Sequence, residues 1–325
     1  MTETLSKISI ITPSFQQAAF LEQTMKSVLE QGYANLEYIV IDGGSTDSSV
    51  EQIKKVQSQL AYWVSEADQG QAHAINKGLQ KASGEIIGWI NSDDYYLPRV
   101  LNQVADVFQE NPDIGLVYGD VLAVDGNGKP INVMCYAPWT VKDLLQFRII
   151  GQSSVFFRRE TLQKSGLLDA QYHYLLDHHL WIRMAAQTKM VYVPQIWSAA
   201  RYHEQAKNLA EAQNFGKDAQ RILLWVENDP AFNEIWQANK RKARAGAAWL
   251  NAFYLADAGK YADSLRSYIK VFFLSPTRFL EDWKKFFYVL FCWLNFGFFT
   301  KKMELINQQK NEAALQTIVD KMDLE

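Results

Sequence analysis

Acidic side chains end two predicted strands in the first hundred residues of the chain. DGGSTD at 42–47 closes one apolar run, and NSDDYYLP at 91–98 closes another. A carboxylate at Asp42 could accept hydrogen bonds from a base or a ribose, and the paired glycines after it would let the backbone approach a ligand. The adjacent carboxylates Asp93 and Asp94 suit a hard divalent ion, which prefers oxygen ligands and can bridge diphosphate oxygens.

Each segment alone has a simpler interpretation. DGGSTD could be a strand-to-helix turn in which Asp47 caps the helix, and a DD pair could lie on a solvated loop. Two carboxylate sites about 50 residues apart, at neighbouring strand ends, favour a shared ligand site instead. DGGSTD is not a dinucleotide fingerprint, because the third glycine and the spacing are missing.

The elements that must position these residues alternate between strand and helix patterns. Apolar runs predict strands at 8–12, 37–42, 61–66 and 85–91, and helical periodicity predicts helices at about 20–29, 47–60 and 72–82. This series predicts an α/β fold with a Rossmann-like, mostly parallel sheet flanked by helices. Such sheets bind ligands at the carboxyl ends of their strands.

The chain becomes helical after about residue 205. The segment 243–276 resembles one tetratricopeptide unit, and without a second copy a plain helical hairpin is the simpler interpretation. The formal charge of −3 argues against a nucleic-acid partner. Cys135 and Cys292 form no disulfide or zinc pattern, and the first residues carry no secretion signal, so we expect a cytoplasmic protein.

Five ordered blocks resemble the motifs of glycosyltransferase family 2. They are TPSF at 12–15, DGGSTD at 42–47, SEADQGQAHAINKG at 65–78, GEIIGWINSDDYYLP at 84–98 and LLDHHLWIRM at 175–184. The resemblance implies an inverting enzyme of the GT-A fold that uses a nucleoside-diphosphate sugar and acts on a glycan or lipid-linked acceptor. It also implies a catalytic domain at 1–204. From the helical pattern after residue 205, we expect an all-α C-terminal extension at 205–325.

The resemblance assigns donor-binding roles to five positions. Asp42 corresponds to the nucleoside-binding aspartate, Thr12 and Pro13 to residues that line the base and ribose, and Asn76 and Lys77 to contacts with the base or phosphates.

The family's DxD triplet corresponds to Asn91, Ser92 and Asp93 in this chain. Its first acid is asparagine here, so the bond to a divalent metal, Mn²⁺ or Mg²⁺, should come from Asp93 with support from Asp94. His203 resembles a histidine that the family places near the diphosphate and metal, although a surface position is equally compatible with its sequence.

Asp177 corresponds to the catalytic base of the family's ED motif, with Leu176 in place of the preceding acid. A base there takes a proton from the acceptor hydroxyl as that hydroxyl attacks the anomeric carbon. Arg201 could face phosphate or pair with an acid, and Gln152 is expected to border the acceptor pocket.

The apolar run at 286–299 is too short to span a bilayer, but lysines and aromatic residues flank it. It could contact the inner face of the cell membrane, with a buried bundle helix or a dimer contact as alternatives. The favoured function is glycosyl transfer in polysaccharide or surface-glycan assembly. An inactive transferase-like scaffold is the alternative. A sugar nucleotidyltransferase should carry a Gly-rich basic loop after its first strand, which TPSFQQAAF lacks.

Overall fold

The computed structural model of the chain describes residues 5–203 and 211–296. The chain divides into two compact units. One consists of residues 1–123, 133–140 and 150–201, and the other of residues 124–132, 141–149 and 202–325.

Nine strands within the described residues form one sheet. They are β1 (Ile8–Ser14), β2 (Leu36–Asp42), β3 (Tyr62–Ser65), β4 (Ile86–Trp89), β5 (Tyr95–Tyr96), β6 (Ile114–Asp125), β7 (Pro130–Met134), β8 (Val155–Arg158) and β9 (Lys189–Tyr202). Their order is β3-β2-β1-β4-β8-β6-β9-β5, and β7 pairs with β6. The first four strands are parallel, as predicted, whereas β8 is antiparallel to both β4 and β6. The α/β prediction is confirmed, with a sheet that is mixed beyond β4.

Seven α-helices in the described residues connect these strands. They are α1 (Leu21–Leu29), α2 (Ser49–Val56), α3 (Gln71–Lys81), α4 (Val100–Glu110), α5 (Val141–Leu145), α6 (Arg159–Ser165) and α7 (Leu176–Ala185). Helix α3 lies so close to β1 that a Cβ at Gly78 would collide with the Ile11 side chain. This close approach requires glycine at that position on the helix.

Register between the parallel strands brings their polar ends together. Every residue of β1 is buried, and Asp42 at the end of β2 pairs with Ser14 of β1 and Ser65 of β3. The apolar runs of these strands are buried on both faces of the sheet. The polar groups at the ends of the strands, at this edge, are therefore the ones that can contact a ligand.

The second unit contains the remaining described helices. They are α8 (Phe215–Asn228), α9 (Asn233–Asp257), α10 (Tyr261–Leu274), α11 (Pro276–Glu281) and α12 (Trp283–Trp293). Helices α9 and α10 form a hairpin, and the Asp282 carboxylate accepts hydrogen bonds from Trp249 at 2.8 Å and Tyr268 at 2.9 Å. Its small core contains Ala252, Leu265 and Val289.

None of the helices in the described residues has the length and apolar character that crossing a bilayer would require. The apolar run at 286–299 begins within α12, whereas its last three residues and the lysines at 301 and 302 lie outside the described residues.

Candidate active site

The turn after β2 is built around the buried carboxylate of Asp42. Its Oδ2 accepts hydrogen bonds from the Gly44 amide at 3.1 Å, the Ser45 amide at 2.8 Å and the Ser65 hydroxyl at 2.6 Å. Its Oδ1 accepts one from the Ser45 hydroxyl at 2.6 Å. Gly44 has φ +82, a conformation that side chains disfavour. Asp42 therefore fixes the shape of the turn that would hold a nucleoside.

Two residues without a predicted role, Phe15 and Asp68, form the rim of this turn on either side of Gly43. The Phe15 ring is 59% exposed directly after β1. A Cβ at Gly43 would lie 3.3 Å from that ring and 2.7 Å from the Asp68 carboxylate, so the backbone passes between the two side chains. An aromatic residue after a strand end, in TPSF, was a signal in the sequence that could have identified Phe15 as a ligand-facing group.

Thr12 and Pro13 lie within β1, below this rim. Thr12 is fully buried and its hydroxyl is 2.9 Å from that of Tyr38, while Pro13 pairs in register with Ile41. Their predicted contact with base and ribose stays a prediction. Because the Thr12 side chain is directed into the core, Thr12 would contribute to ligand binding through the position of its backbone near the end of β1.

The loop after β4 holds two adjacent carboxylates. Asp94 is buried, and its Oδ1 accepts a hydrogen bond from the Arg201 amide at 2.9 Å. Burial raises the pKa of Asp94 well above its usual value, and the neighbouring Asp93 charge raises it further. The Thr24 hydroxyl holds this loop from below, 2.9 Å from the Ser92 carbonyl and 2.7 Å from the Asp94 carbonyl.

Arg201 acts as a clamp on this loop. Its Nε donates to the Asp93 carbonyl at 3.0 Å and its Nη2 to Gln23 Oε1 at 2.6 Å. The guanidinium also lies 4.7 Å from the centre of the Phe20 ring and 5.3 Å from that of Tyr95. With 4% of its surface exposed, Arg201 positions the acidic loop from within the fold.

The residues of this loop fit a divalent cation that also binds substrate. No three His, Cys, Asp or Glu side chains surround a common metal position in residues 5–203 and 211–296. Ions such as Mg²⁺ are, however, commonly held by one or two carboxylates together with substrate phosphates. Asp93 and Asp94 supply such hard oxygen ligands, and a cation there would relieve their mutual repulsion. Asn91 already accepts a hydrogen bond from Gln71 at 3.0 Å.

The two predicted donor contacts on α3 have partners within the protein. The Asn76 amide makes two hydrogen bonds of 2.9 Å to the backbone of Leu168, one as donor and one as acceptor. Lys77 pairs with the exposed carboxylate of Glu66. Asn76 therefore fixes the segment that leads into α7, and its predicted contact with the nucleotide stays a prediction.

Asp177 lies in the first turn of α7 and is half-buried. Its Oδ1 accepts a hydrogen bond from the His178 amide at 2.7 Å. Burial raises the pKa of Asp177 from 3.8 to about 6, and this amide opposes the rise. One turn later, Trp181 stacks on Trp89 with ring centres 5.1 Å apart. This contact anchors α7 beside the end of β4.

Gln152 and His203 complete the predicted set. Gln152 begins a 3₁₀ turn, and its Nε2 donates to the Trp89 carbonyl at 2.6 Å, so it too lies at the end of β4. His203 follows β9, and its Cβ is 3.8 Å from the position that a Cβ on Gly126 would take. Its predicted contact with a metal stays a prediction.

Comparison with known proteins identifies related sequences and structures with the same fold. Residues 9–162 match the family described as Glycosyl transferase family 2. An uncharacterized glycosyltransferase of Nostoc sp. is 31% identical over half of this chain, and this match covers 54% of that protein. A Bacillus subtilis glycosyltransferase named for teichuronic acid biosynthesis is 31% identical over 49% of this chain and 65% of its own length. The chain thus spans about half to two thirds of these relatives.

Two solved structures share the fold. S. aureus TarS in complex with UDP-GlcNAc superposes with a TM-score of 0.58, covering 86% of this chain and 92% of that one at 14% identity. The mannosyltransferase PcManGT of Pyrobaculum calidifontis, in complex with GDP-Man and Mn²⁺, gives a TM-score of 0.58 over 89% and 86% at 19% identity. The chain therefore has the GT-A fold, and its residues 9–162 match the model of glycosyl transferase family 2.

Proposed function

We propose that this chain is a metal-dependent inverting glycosyltransferase that moves a sugar from a nucleoside-diphosphate sugar to an acceptor hydroxyl. The observation that carries the proposal is the placement of three acids. Asp42 ends β2 and Asp93 lies in the loop after β4, on the two sides of β1 at one sheet edge. Asp177 lies in the first turn of α7, which is anchored beside the end of β4. Each lies where a different part of the donor–acceptor pair would bind.

The nucleoside end of the donor binds at the turn after β2. The exposed Phe15 ring offers a face on which a base can stack, and the Asp42 turn presents backbone and hydroxyl groups beside it. Thr12 and Pro13 support this pocket from β1, and Lys77 on α3 supplies a positive charge for the phosphates.

The diphosphate binds at the loop after β4, where Asp93 would hold Mn²⁺ or Mg²⁺ with Asp94, Asn91 and Ser92 in support. The ion, when bound, neutralises charge on the departing diphosphate. The contribution of the chain itself is rigidity, because Arg201 fixes the Asp93 backbone. His203, after β9, is a further candidate ligand.

Asp177 is the catalytic base. The acceptor oxygen attacks the anomeric carbon, the bond from that carbon to the diphosphate oxygen breaks, and the acceptor proton passes to the Asp177 carboxylate. With a pKa of about 6, this group is ionised at neutral pH and still basic enough to take the proton. A single displacement inverts the anomeric configuration.

Substitution of Asp177 by Asn tests this assignment. We expect Asp177→Asn to bind nucleotide as the wild type does while losing most transfer, because only proton acceptance is removed. Asp42→Ala, in contrast, should lose nucleotide binding. If the two variants lose nucleotide affinity equally, Asp177 is not the base.

We further propose that residues 1–204 form the catalytic domain and that residues 205–325 hold the enzyme at the inner, cytoplasmic face of a membrane, where it extends a glycan or lipid-linked acceptor. Phe273, Leu280 and Trp283 on α10 to α12 are 70%, 65% and 46% exposed. Arg241 donates to the Phe273 carbonyl at 3.1 Å, which sets a positive charge beside them. Exposed aromatic and basic side chains together favour an anionic lipid surface. The name of the Bacillus relative supports a role in polysaccharide assembly.

Flotation with vesicles that contain phosphatidylglycerol tests the membrane proposal. Phe273→Asp should abolish co-flotation, whereas Leu224→Asp, at a 58% exposed leucine on α8, should not. Equal flotation of both variants and the wild type would contradict the proposal.

A further inference from the structure

A second group of aromatic side chains surrounds Asp120 on β6, outside the acidic edge described above. The Asp120 carboxylate accepts a hydrogen bond from the Tyr136 amide at 2.9 Å, and both its oxygens lie near the Tyr192 hydroxyl, at 3.0 and 3.1 Å. The Tyr118 and Tyr192 ring centres are 5.6 Å apart, and those of Tyr136 and Trp139 are 5.5 Å apart. We name the half-buried rings of Tyr136, Trp139 and Tyr192 the aromatic platform.

The platform is held rigidly by buried groups. The Tyr118 hydroxyl donates to the Ala137 carbonyl at 2.6 Å and accepts from the Trp139 amide at 2.9 Å. Asp120 is itself 6% exposed, and burial raises the pKa of its carboxyl group. Two bonds to Tyr118 and one to Asp120 therefore fix the loop that carries Tyr136 and Trp139. Partly exposed rings that are fixed in this way lose little entropy when they bind a ligand.

Strand register places the platform at the same sheet edge as the acidic loop. Gly88 of β4 is opposite Phe156 of β8, and Phe156 is opposite Val117 of β6. Since β8 is antiparallel to both neighbours, β4 and β6 run in the same direction, and Asp120, three residues past Val117, lies about level with the end of β4 at Trp89. Asp120 therefore lies two strand spacings, about 10 Å, from the line of β4.

The 3₁₀ turn at Gln152 links the two places directly. Gln152 donates to the Trp89 carbonyl at the end of β4, and Ser154 donates to the Gly119 carbonyl, next to Asp120, at 2.7 Å. A Cβ at Gly151 would collide with the Tyr136 hydroxyl, so the platform lies against this turn. A ligand on the platform would lie beside the residues that lead to the acidic loop.

We propose that the aromatic platform binds a pyranose ring of the acceptor glycan, a role that rests on the proposed function. The carbon-bound hydrogens on one face of a pyranose pack on aromatic rings, while its hydroxyls hydrogen-bond to phenol hydroxyls and indole N–H groups. Tyr136, Trp139 and Tyr192 supply both kinds of group at one edge. The separation from β4 leaves room for a sugar whose hydroxyl reaches the donor.

Saturation-transfer NMR with methyl glycosides of glucose, galactose, mannose and N-acetylglucosamine tests this site without knowledge of the natural acceptor. At least one glycoside should receive saturation on the protons of one ring face. Trp139→Ala should raise the Kd of that glycoside about tenfold or more, the usual effect of removing an aromatic side chain that the ligand buries. UDP and GDP affinity should not change. Trp225→Ala, at a half-buried tryptophan on α8, is the matched control.

A milder variant protects the test against misfolding. Tyr192→Phe keeps the ring and removes only the hydroxyl that faces Asp120. It should therefore reduce the affinity for the glycoside less than Trp139→Ala does. Nucleotide binding without binding of any glycoside, or glycoside binding that Trp139→Ala leaves intact, would overturn the platform. Glycoside binding without nucleotide binding would instead support the platform and refute the proposed function.

Discussion

The buried charge of Asp177 should make the enzyme less stable than it would be without that charge. Burial raises the pKa of Asp177 from 3.8 to about 6. Asp177 therefore takes up a proton more readily in the folded protein than in the unfolded chain, and at every pH above about 6 its charge lowers the free energy of unfolding. This destabilisation decreases as pH falls through 6 and is absent below 3.8, where the carboxyl is protonated in both the folded and the unfolded chain.

The magnitude follows from the two pKa values. A difference between 3.8 and about 6 corresponds to about 3 kcal/mol at pH 8 and about 1.5 kcal/mol at pH 5. Asp177 keeps some contact with solvent, so these are upper bounds. Asp177→Asn removes the charge and keeps the shape. The variant should therefore be more stable than the wild type, by more at pH 8 than at pH 5, while its transfer activity is lost.

Urea unfolding followed by tryptophan fluorescence, at pH 5 and pH 8, measures this difference. Asp106→Asn, which removes an exposed carboxylate on α4, controls for the change in net charge. The wild-type rate of transfer should also fall as pH drops below about 6, as the base becomes protonated. A variant that is less stable than the wild type at pH 8, or a stability gain that is larger at pH 5, would refute the reasoning.

Three further predictions concern the acidic loop and the sheet. Asp93→Ala should weaken nucleotide binding in Mn²⁺ but not in EDTA, and calorimetry that finds equal weakening in both would remove Asp93 from the metal site. In Arg201→Lys the new side chain cannot contact both the Asp93 carbonyl and Gln23, so the free energy of unfolding measured in urea should fall by about 2–4 kcal/mol. An unchanged free energy of unfolding would contradict the role of Arg201 as a clamp. Gly78→Ala should lower the free energy of unfolding by about 1–3 kcal/mol in the same measurement, because the added Cβ collides with Ile11. An unchanged free energy of unfolding would mean that α3 shifts freely.

The first half of the fold could be predicted because local pattern and tertiary role agree there. The apolar runs of β1 and β2 are buried over nearly their whole length, so their composition reports their position directly. The parallel order then follows from the alternation of strands and helices, and the acids at the strand ends meet at one edge.

Contacts between distant residues could not be predicted in the same way. Arg201 reaches the Asp93 carbonyl and the Asp94 carboxylate across more than 100 residues of sequence, and Asn76 binds Leu168 across 92. Periodicity reports which face of an element is buried, and it carries no information on which polar partner a side chain finds. Asn76 was therefore expected to contact the nucleotide, and Arg201 to face phosphate or pair with an acid, and both residues have partners within the fold.

The order and direction of the strands in the second half of the sheet could not be predicted for a different reason. Strands β6 and β9 cover 12 and 14 residues and pass from one compact unit into the other, and β8 inserts between β4 and β6. Antiparallel insertion depends on long-range pairing, which no local pattern encodes. The aromatic platform lies on β9 and the loop before α5 and is held by residues of β6, so it could not be predicted from the sequence for this reason.

Binding of nucleotides to the purified protein is the decisive test of the proposed function. UDP-, GDP- and dTDP-sugars would be titrated by calorimetry in Mn²⁺ and in EDTA, with Asp42→Ala as the control. We predict that one nucleotide family binds, that binding weakens in EDTA, and that Asp42→Ala abolishes it. A folded protein that binds none of them would contradict the proposed function and favour a transferase-like scaffold.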